Sequence, residues 1–288
     1  MNPPKILVQL DTDRHASVFD SVVAIDAGVD HLLSHGSVEP SAVANLVHGA
    51  MFTRGPNQLN NTAVFVGGSD VAAGEQVFKA VQASFFGPVR VSVMLDSNGS
   101  NTTSAAAVLA AARHLTLAET TALVLAATGP VGARVTRLLA REGVAVRAAS
   151  RSQQRAQVSC DQVAAMLEGA RLEAVAIDSE KSLESALQGV GLVICAGAAG
   201  VQLLPRSVRM AAGDLCVVID LNAVPPLGVE GIEVHDAGKE RDGVICYGAI
   251  GVGGTKMKIH TAAVRQLFET NDSVLDAEQI FEIGRQLA

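Results

Sequence analysis

Residues 121–151 constrain this chain more than any other stretch. Thr121–Ala126 is an apolar run that reads as a buried strand, and Ala127-Thr128-Gly129-Pro130-Val131-Gly132 follows it as a tight turn. An amphipathic helix comes next, with Val131, Val135, Leu138 and Leu139 on one face and Gly143 at the expected C-cap. A second strand then ends in Ser150-Arg151-Ser152. In such a unit Gly129 lets the backbone approach a pyrophosphate and Gly132 lets the helix pack close to the strand. The helix N-terminus offers free N–H groups and the positive end of its dipole to the anion. A glycine pattern alone is weak, and here Ala127 stands where the first glycine is usual. The strand before the turn and the helix behind it strengthen the assignment over an ordinary turn with no ligand.

The second strand carries the selectivity signal. An NAD site places an acidic residue there for the ribose hydroxyls. This chain has Ser150 and Arg151, with Arg155 one helical turn on. A carboxylate would repel a 2′-phosphate, whereas a hydroxyl and two guanidiniums bind it, so the expected cofactor is NADP. The plainer alternative is a solvated helix start.

The chain has 288 residues, enough for two domains with real cores. It is 49% apolar but 3% aromatic and has no Trp, so its cores must be built from Ala, Val, Leu and Ile, which suits parallel sheets covered by helices. The net charge of −7 argues against nucleic-acid or anionic-membrane binding as the main task. Cys160, Cys195, Cys216 and Cys246 have no metal-type spacing. They read as buried residues of a reducing, intracellular protein. Met1-Asn2-Pro3-Pro4-Lys5 leads directly into a strand without a signal-peptide pattern, and no run of about 18 apolar residues occurs, so a cytoplasmic location is expected.

Strands are expected at Ile6–Leu10, His31–Ser34, Ala63–Val66 and Val89–Leu95, alternating with helices at Val18–Ala27 (N-cap Ser17), Ser41–Gly49 and Val71–Phe85. Thr102–Leu115 is Ala-rich and helical and leads into a second domain. Six further strands are expected there, at Thr121–Ala126, Val144–Ala149, Ala174–Ile177, Leu192–Cys195, Leu215–Ile219 and Val244–Tyr247. Six strands with a glycine turn after the first match a complete Rossmann sheet. The expected fold is α/β with two domains and a cleft between them. Residues 1–105 form a parallel-sheet substrate domain, on which the helix within 270–288 packs back, and residues 106–269 form the Rossmann NADP-binding domain.

Polar clusters fall at the C-terminal ends of the strands, where open α/β sheets bind ligands. They are Asp11-Thr12-Asp13, Gly67-Gly68-Ser69-Asp70, the run Asp96–Thr103, Ala196-Gly197, Asp220-Leu221-Asn222, and Gly248–Gly254, which includes Gly253. The last run reads as backbone lying against a flat ligand, ahead of Lys256 and Lys258. A flexible loop is the alternative for any one cluster. Lys256 is one of six lysines and follows that run, although a surface lysine is the bland default. Asp20 and Asp26 sit amid apolar neighbours on the first helix and either face a cleft or mark the helix edge. His31 and His35 have no third ligand near them, so no metal is expected. No Gly-x-Ser-x-Gly elbow follows a strand, and Tyr247 has no Lys four residues on.

Seven stretches together resemble a known family. They are Ser17-Val18-Phe19-Asp20, Phe65-Val66-Gly67-Gly68, Phe85-Phe86-Gly87-Pro88, Met94–Thr103 with its Ser-Asn-Gly-Ser-Asn-Thr-Thr run, Thr128–Gly132, Asn222–Gly228 and Gly248–Lys258. The chain is similar along essentially its whole length to the NADP-dependent methylene-tetrahydromethanopterin / methylene-tetrahydrofolate dehydrogenases of bacterial one-carbon metabolism. The resemblance implies hydride removal from a methylene-tetrahydropterin to give a methenyl cation delocalised over N–C–N. That step takes no proton, which accounts for the absence of a recognisable acid–base dyad. The protein then positions the reactants and tunes the field. The resemblance further implies catalytic roles for Asp20 and Lys256, and pterin contacts from Asp20, Asn98, Ser100, Thr102, Thr103 and Lys256. Cofactor contacts would come from Thr128, Gly129, Pro130, Val131, Gly132, Ser150, Arg151, Arg155, Ala196, Gly197, Asn222 and Gly253. A homo-oligomer, a trimer or a multiple of one, with no membrane or nucleic-acid partner, is also implied. Two rivals stand beside this reading. One is a shikimate-dehydrogenase-like enzyme, which needs a Lys–Asp pair in a first domain that has only Lys5 and Lys79. The other is a non-catalytic NADPH-sensing module.

Overall fold

The computed structural model describes residues 3–287. The chain divides into two compact units, one of residues up to Thr102 together with those from Met257 on, the other of Thr103–Lys256. In the first unit β1 (Ile6–Asp11), α1 (Val18–Asp26), β2 (His31–His35), α2 (Pro40–Phe52), β3 (Thr62–Gly67), α3 (Val71–Ala83) and β4 (Ser92–Leu95) alternate as expected. Helix α4 (Ser100–Ala112) carries the chain out of this unit. The second unit holds β5 (Thr121–Leu125), α5 (Pro130–Arg141), β6 (Ala145–Ser150), α6 (Gln153–Met166), β7 (Leu172–Ala176), α7 (Glu180–Ala186), β8 (Leu192–Cys195), α8 (Arg206–Ala211), β9 (Val217–Asp220), β10 (Ala237–Arg241) and β11 (Val244–Tyr247). Helix α9 (Ala249–Gln266) leads back to β12 (Val274–Leu275) and α10 (Ala277–Gln286).

The first sheet runs β12-β4-β3-β1-β2, and every pairing in it is parallel. Strands β3 and β4 are buried along their whole length, as expected of a parallel sheet covered on both faces. Ser17 caps α1, its hydroxyl accepting from the Asp20 N–H at 3.2 Å. Residues 257–269 lie in the first unit, although the sequence reading put them in the second. The chain crosses within α9, and Ile259, His260, Ala263 and Val264 from its second half are buried, as is Leu267 just beyond it.

The second sheet runs β10-β11-β9-β8-β5-β6-β7. Its six parallel strands are the six expected ones. The seventh, β10, pairs antiparallel with β11 at the edge and was not anticipated. Its sequence Ala237-Gly238-Lys239-Glu240-Arg241 is charged and lacks apolar alternation, which keeps an edge strand from pairing with other chains. Next to it, Asp242 binds Arg206 and the buried Arg209, each at 2.6 Å. Their hydrogen bonds hold the Asp242 carboxyl down to about 2. The contribution of these pairs to stability is therefore present above the ordinary carboxylate range and lost only as the pH falls through about 2. On α5, Val135, Leu138 and Leu139 are fully buried, each contributing roughly 1.5–3 kcal/mol of apolar burial. Among the described residues no helix is long and apolar enough to cross a membrane.

Candidate functional site

The second unit carries the phosphate turn between β5 and α5. A Cβ on Gly132 would overlap the Ala126 carbonyl, so only glycine allows the helix this close to the strand. Gly129 is the N-cap of α5, makes no side-chain cap, and is followed by Pro130 at the first helical position. The first N–H groups of α5 therefore keep no side-chain partner and suit an anion. Ala127 is buried and its N–H donates to Ala149 O at 2.9 Å. The left-handed residue of the turn is Ala126, at φ +59°, which costs a non-glycine residue about 1–2 kcal/mol. Strain of this kind gathers at functional turns.

Thr128 is exposed and Val131 half-buried. Ser150 ends β6. Arg151 and Arg155 are exposed, and neither guanidinium makes a hydrogen bond or ion pair among the described residues. Thr128 and Arg155 line one cavity of about 490 Å³ with Ala133, Gln154 and Ser159. Uncapped N–H groups with an unpaired guanidinium across the same cavity suit a phosphate-bearing dinucleotide.

Ala196 and Gly197 follow β8, with the Ala196 N–H on Leu125 O at 3.1 Å. Asn222, after β9, is buried. Its Oδ1 accepts from the Val224 N–H at 2.9 Å and its Nδ2 donates to Pro226 O at 3.1 Å, so its side chain shapes its own loop. Gly253 does not lie in a loop. Residues 249–254 form the first turns of α9, which corrects the expected glycine-rich loop against a ligand.

In the first unit the strand ends carry buried carboxylates. Asp11 is fully buried and accepts from the Asp13 and Ser17 N–H groups, both at 2.9 Å. Asp96 is 1% exposed and accepts from the Asn101 and Thr102 N–H groups and, at 2.6 Å, from the Thr102 hydroxyl. Ser100 is buried, its hydroxyl donating to Ser97 O at 2.8 Å. Asn98 is exposed, at φ +54°, and Thr103 is half-buried.

Asp20 faces inward, whereas Asp26 is exposed. A Cβ on Gly67 would lie 3.2 Å from Asp11 Oδ2 and 3.6 Å from Asp20 Oδ2, so two carboxylates converge on the end of β3. His260 Nε2 lies 4.0 Å from Asp20 Oδ1. The imidazole is 1% exposed and stacked on Phe65 at 5.6 Å, with Phe19 tilted at 6.3 Å. The proximity of Asp20 and His260 is not part of the sequence expectation. Its sequence signal is the spacing of Lys256 and His260, four apart and thus on one face of α9. That spacing was hidden while 248–254 was read as a loop. His31 is exposed and His35 half-buried on the edge strand β2, and no group of three or more His, Cys, Asp or Glu that could hold a metal occurs among the described residues.

The sequence pattern described as "Methylene-tetrahydromethanopterin dehydrogenase, N-terminal" matches residues 18–98, and that of the NmrA-like family matches residues 118–210. A Methylorubrum extorquens protein, "Bifunctional protein MdtA", is 44% identical over 286 residues, covering 99% of each chain. The chain belongs to the methylene-tetrahydromethanopterin dehydrogenase family. The "NAD(P)-dependent methylenetetrahydromethanopterin dehydrogenase" of the same organism is 26% identical over 98% of each chain. Among solved structures, quinate dehydrogenase from Corynebacterium glutamicum in complex with NAD superimposes with a TM-score of 0.53 at 14% identity, covering 98% of this chain and 99% of that one. At that identity the likeness shows the fold alone, a two-domain Rossmann-like α/β fold.

The cysteines give a first prediction. Cys160, Cys195 and Cys246 are buried, but Cys216 is exposed, because it precedes β9 rather than lying in it. Burial, then the charge of Asp220, pushes the Cys195 thiol up to about 12. Iodoacetamide at neutral pH is expected to label Cys216 alone in the native protein without loss of activity. Mass spectrometry of tryptic peptides checks this, and inactivation in step with labelling of another cysteine would refute it.

Proposed function

We propose that the protein is an NADP-dependent dehydrogenase of one-carbon metabolism that reversibly removes hydride from methylene-tetrahydromethanopterin, methylene-tetrahydrofolate or both, giving the methenyl form. Family membership along the whole chain is the observation that carries this reading. The choice of NADP is supported by Ser150 and the unpaired Arg151 and Arg155. When bound, the dinucleotide supplies the hydride acceptor. The uncapped start of α5 holds its pyrophosphate, and the two guanidiniums hold its 2′-phosphate.

In the first unit, the carboxylate of Asp20 favours the positive charge that develops over N–C–N, and the imidazole of His260 stands 4.0 Å from it. Lys256, one turn before His260 on α9, positions the polar groups of the pterin. The chemical step moves no proton, so neither residue has to act as a base. Opening the methenyl ring would need an activated water. The imidazole of His260 is buried against Phe65, which supports a dehydrogenase without cyclohydrolase activity.

Absorbance of the reduced nicotinamide tests the reading, with each tetrahydropterin and with shikimate, against NADP and NAD in turn. NADP reduction with at least one methylene-tetrahydropterin is expected. Reduction with shikimate alone would point to the quinate/shikimate type of chemistry. NADPH binding without any turnover would point to a sensing module.

A further inference from the structure

Asp220 is a fully buried carboxyl that none of the roles above uses. It ends β9 and accepts from the backbone N–H groups of Asn222 at 3.0 Å and Val229 at 2.9 Å. The Gly228 backbone and the Cys195 thiol lie beside it. A Cβ on Gly228 would sit 2.7 Å from Asp220 Oδ1 and 2.6 Å from Cys195 Sγ, so the loop closes onto the carboxyl only because residue 228 has no side chain. The Gly228 carbonyl in turn accepts from the N–H groups of Leu203 at 2.8 Å and Leu204 at 3.0 Å. Those residues end the loop after β8, and Leu203 packs where a Gly197 side chain would be, 2.7 Å from its Cβ position. One buried carboxyl thus fixes both ends of the 222–229 loop and, through Gly228, the far end of the 196–204 loop.

The sheet order β9-β8-β5-β6 says which half of the dinucleotide these loops serve. The 2′-phosphate residues end β6 and the pyrophosphate turn follows β5. The remaining half of an extended dinucleotide then lies over the ends of β8 and β9. We propose that Asp220 is a positioning residue that sets the β8 and β9 loops for the nicotinamide half of NADP. This rests on the reading that Ala196 and Gly197 lie against the cofactor.

The experiment compares Asp220→Asn with the wild-type protein in two binding titrations and in turnover. The carboxamide turns an NH2 group toward a backbone N–H, so one anchor of the loop is lost. NADPH should bind about tenfold more weakly. Adenosine 2′,5′-bisphosphate, which reaches only the β5 and β6 side, should bind within about twofold of wild type. Turnover should fall on the order of 10²-fold, because small misplacement at the reacting carbon is costly. Equal weakening of both ligands would overturn the proposal, since it would mark general damage. The control Ala196→Leu separates the two levels of inference. Weak NADPH binding in Ala196→Leu with an unchanged Asp220→Asn would remove the role of Asp220 and leave the cofactor placement standing. Unchanged NADPH binding in both variants would remove the cofactor placement as well. If Asp220→Asn does not fold, Cys195→Ala removes the thiol beside the carboxyl at little change in volume. It should show the same split between ligands at about threefold for NADPH, and its absence would count against the proposal.

Discussion

Asp20→Ala should slow hydride transfer on the order of 10²-fold, the scale typical of a preorganised charge at a developing ion. The substrate has no net charge on its one-carbon unit and the product carries a delocalised cation. A fixed carboxylate therefore stabilises the transition state more than the ground state. Asp20 is suited to this because its surroundings hold it still. Ser17 Oγ binds its backbone N–H, Asp11 Oδ2 binds the Ser17 N–H, and His260 stands 4.0 Å from its carboxylate. NADP affinity should stay within about twofold of wild type, since every cofactor contact assigned above lies in other elements. Lys256→Ala should instead raise the KM for the pterin. Single-turnover rates set beside melting temperatures decide the matter. Near-wild-type rates in Asp20→Ala, or melting far below wild type, would make Asp20 a structural residue.

The parts of the protein that were legible in the sequence are those whose signal is local. The strand, turn and helix of 121–141 and the Ser150-Arg151 ending lie within one contiguous stretch, so periodicity and glycine placement revealed them together. The parallel strands β3, β4 and β8 are short apolar runs bounded by polar clusters, which is how fully buried strands read. Non-local features were hidden. Asp20 and His260 lie near opposite ends of the chain and meet only because α9 returns to the first unit. The start of α9 was misread because glycine disfavours helix interiors. Gly251 is there because a Cβ would overlap the Asp236 carbonyl, a contact that no local pattern reports. Strand β10 has no apolar alternation to read, and its position is set by pairing with β11 and by the ion pairs of Asp242.

Arg151→Ala should raise the KM for NADP by roughly one to two orders of magnitude, the effect of losing a charged hydrogen bond. The KM for NAD should hardly move, because NAD has no 2′-phosphate for the guanidinium to meet. The selectivity therefore collapses from the NADP side. Two features make Arg151 a sensitive position. It is exposed and makes no other hydrogen bond or ion pair among the described residues, so its substitution disturbs little of the fold. It also sits on a chain of net charge −7, in which a local pair of cations must do the work of drawing in a dianionic phosphate. Arg155, one turn further on and lining the same cavity as Thr128, should add a second, smaller loss when it is removed as well. Because both guanidiniums are solvent-exposed, added salt should weaken NADP binding in the wild type more than in the double variant. Arg151→Asp should go further and restore measurable use of NAD, since a carboxylate at the end of the second strand accepts from the ribose hydroxyls. Initial-rate kinetics with both cofactors at two salt concentrations measure all of this. An unchanged ratio of NADP to NAD use in Arg151→Ala would place the 2′-phosphate elsewhere.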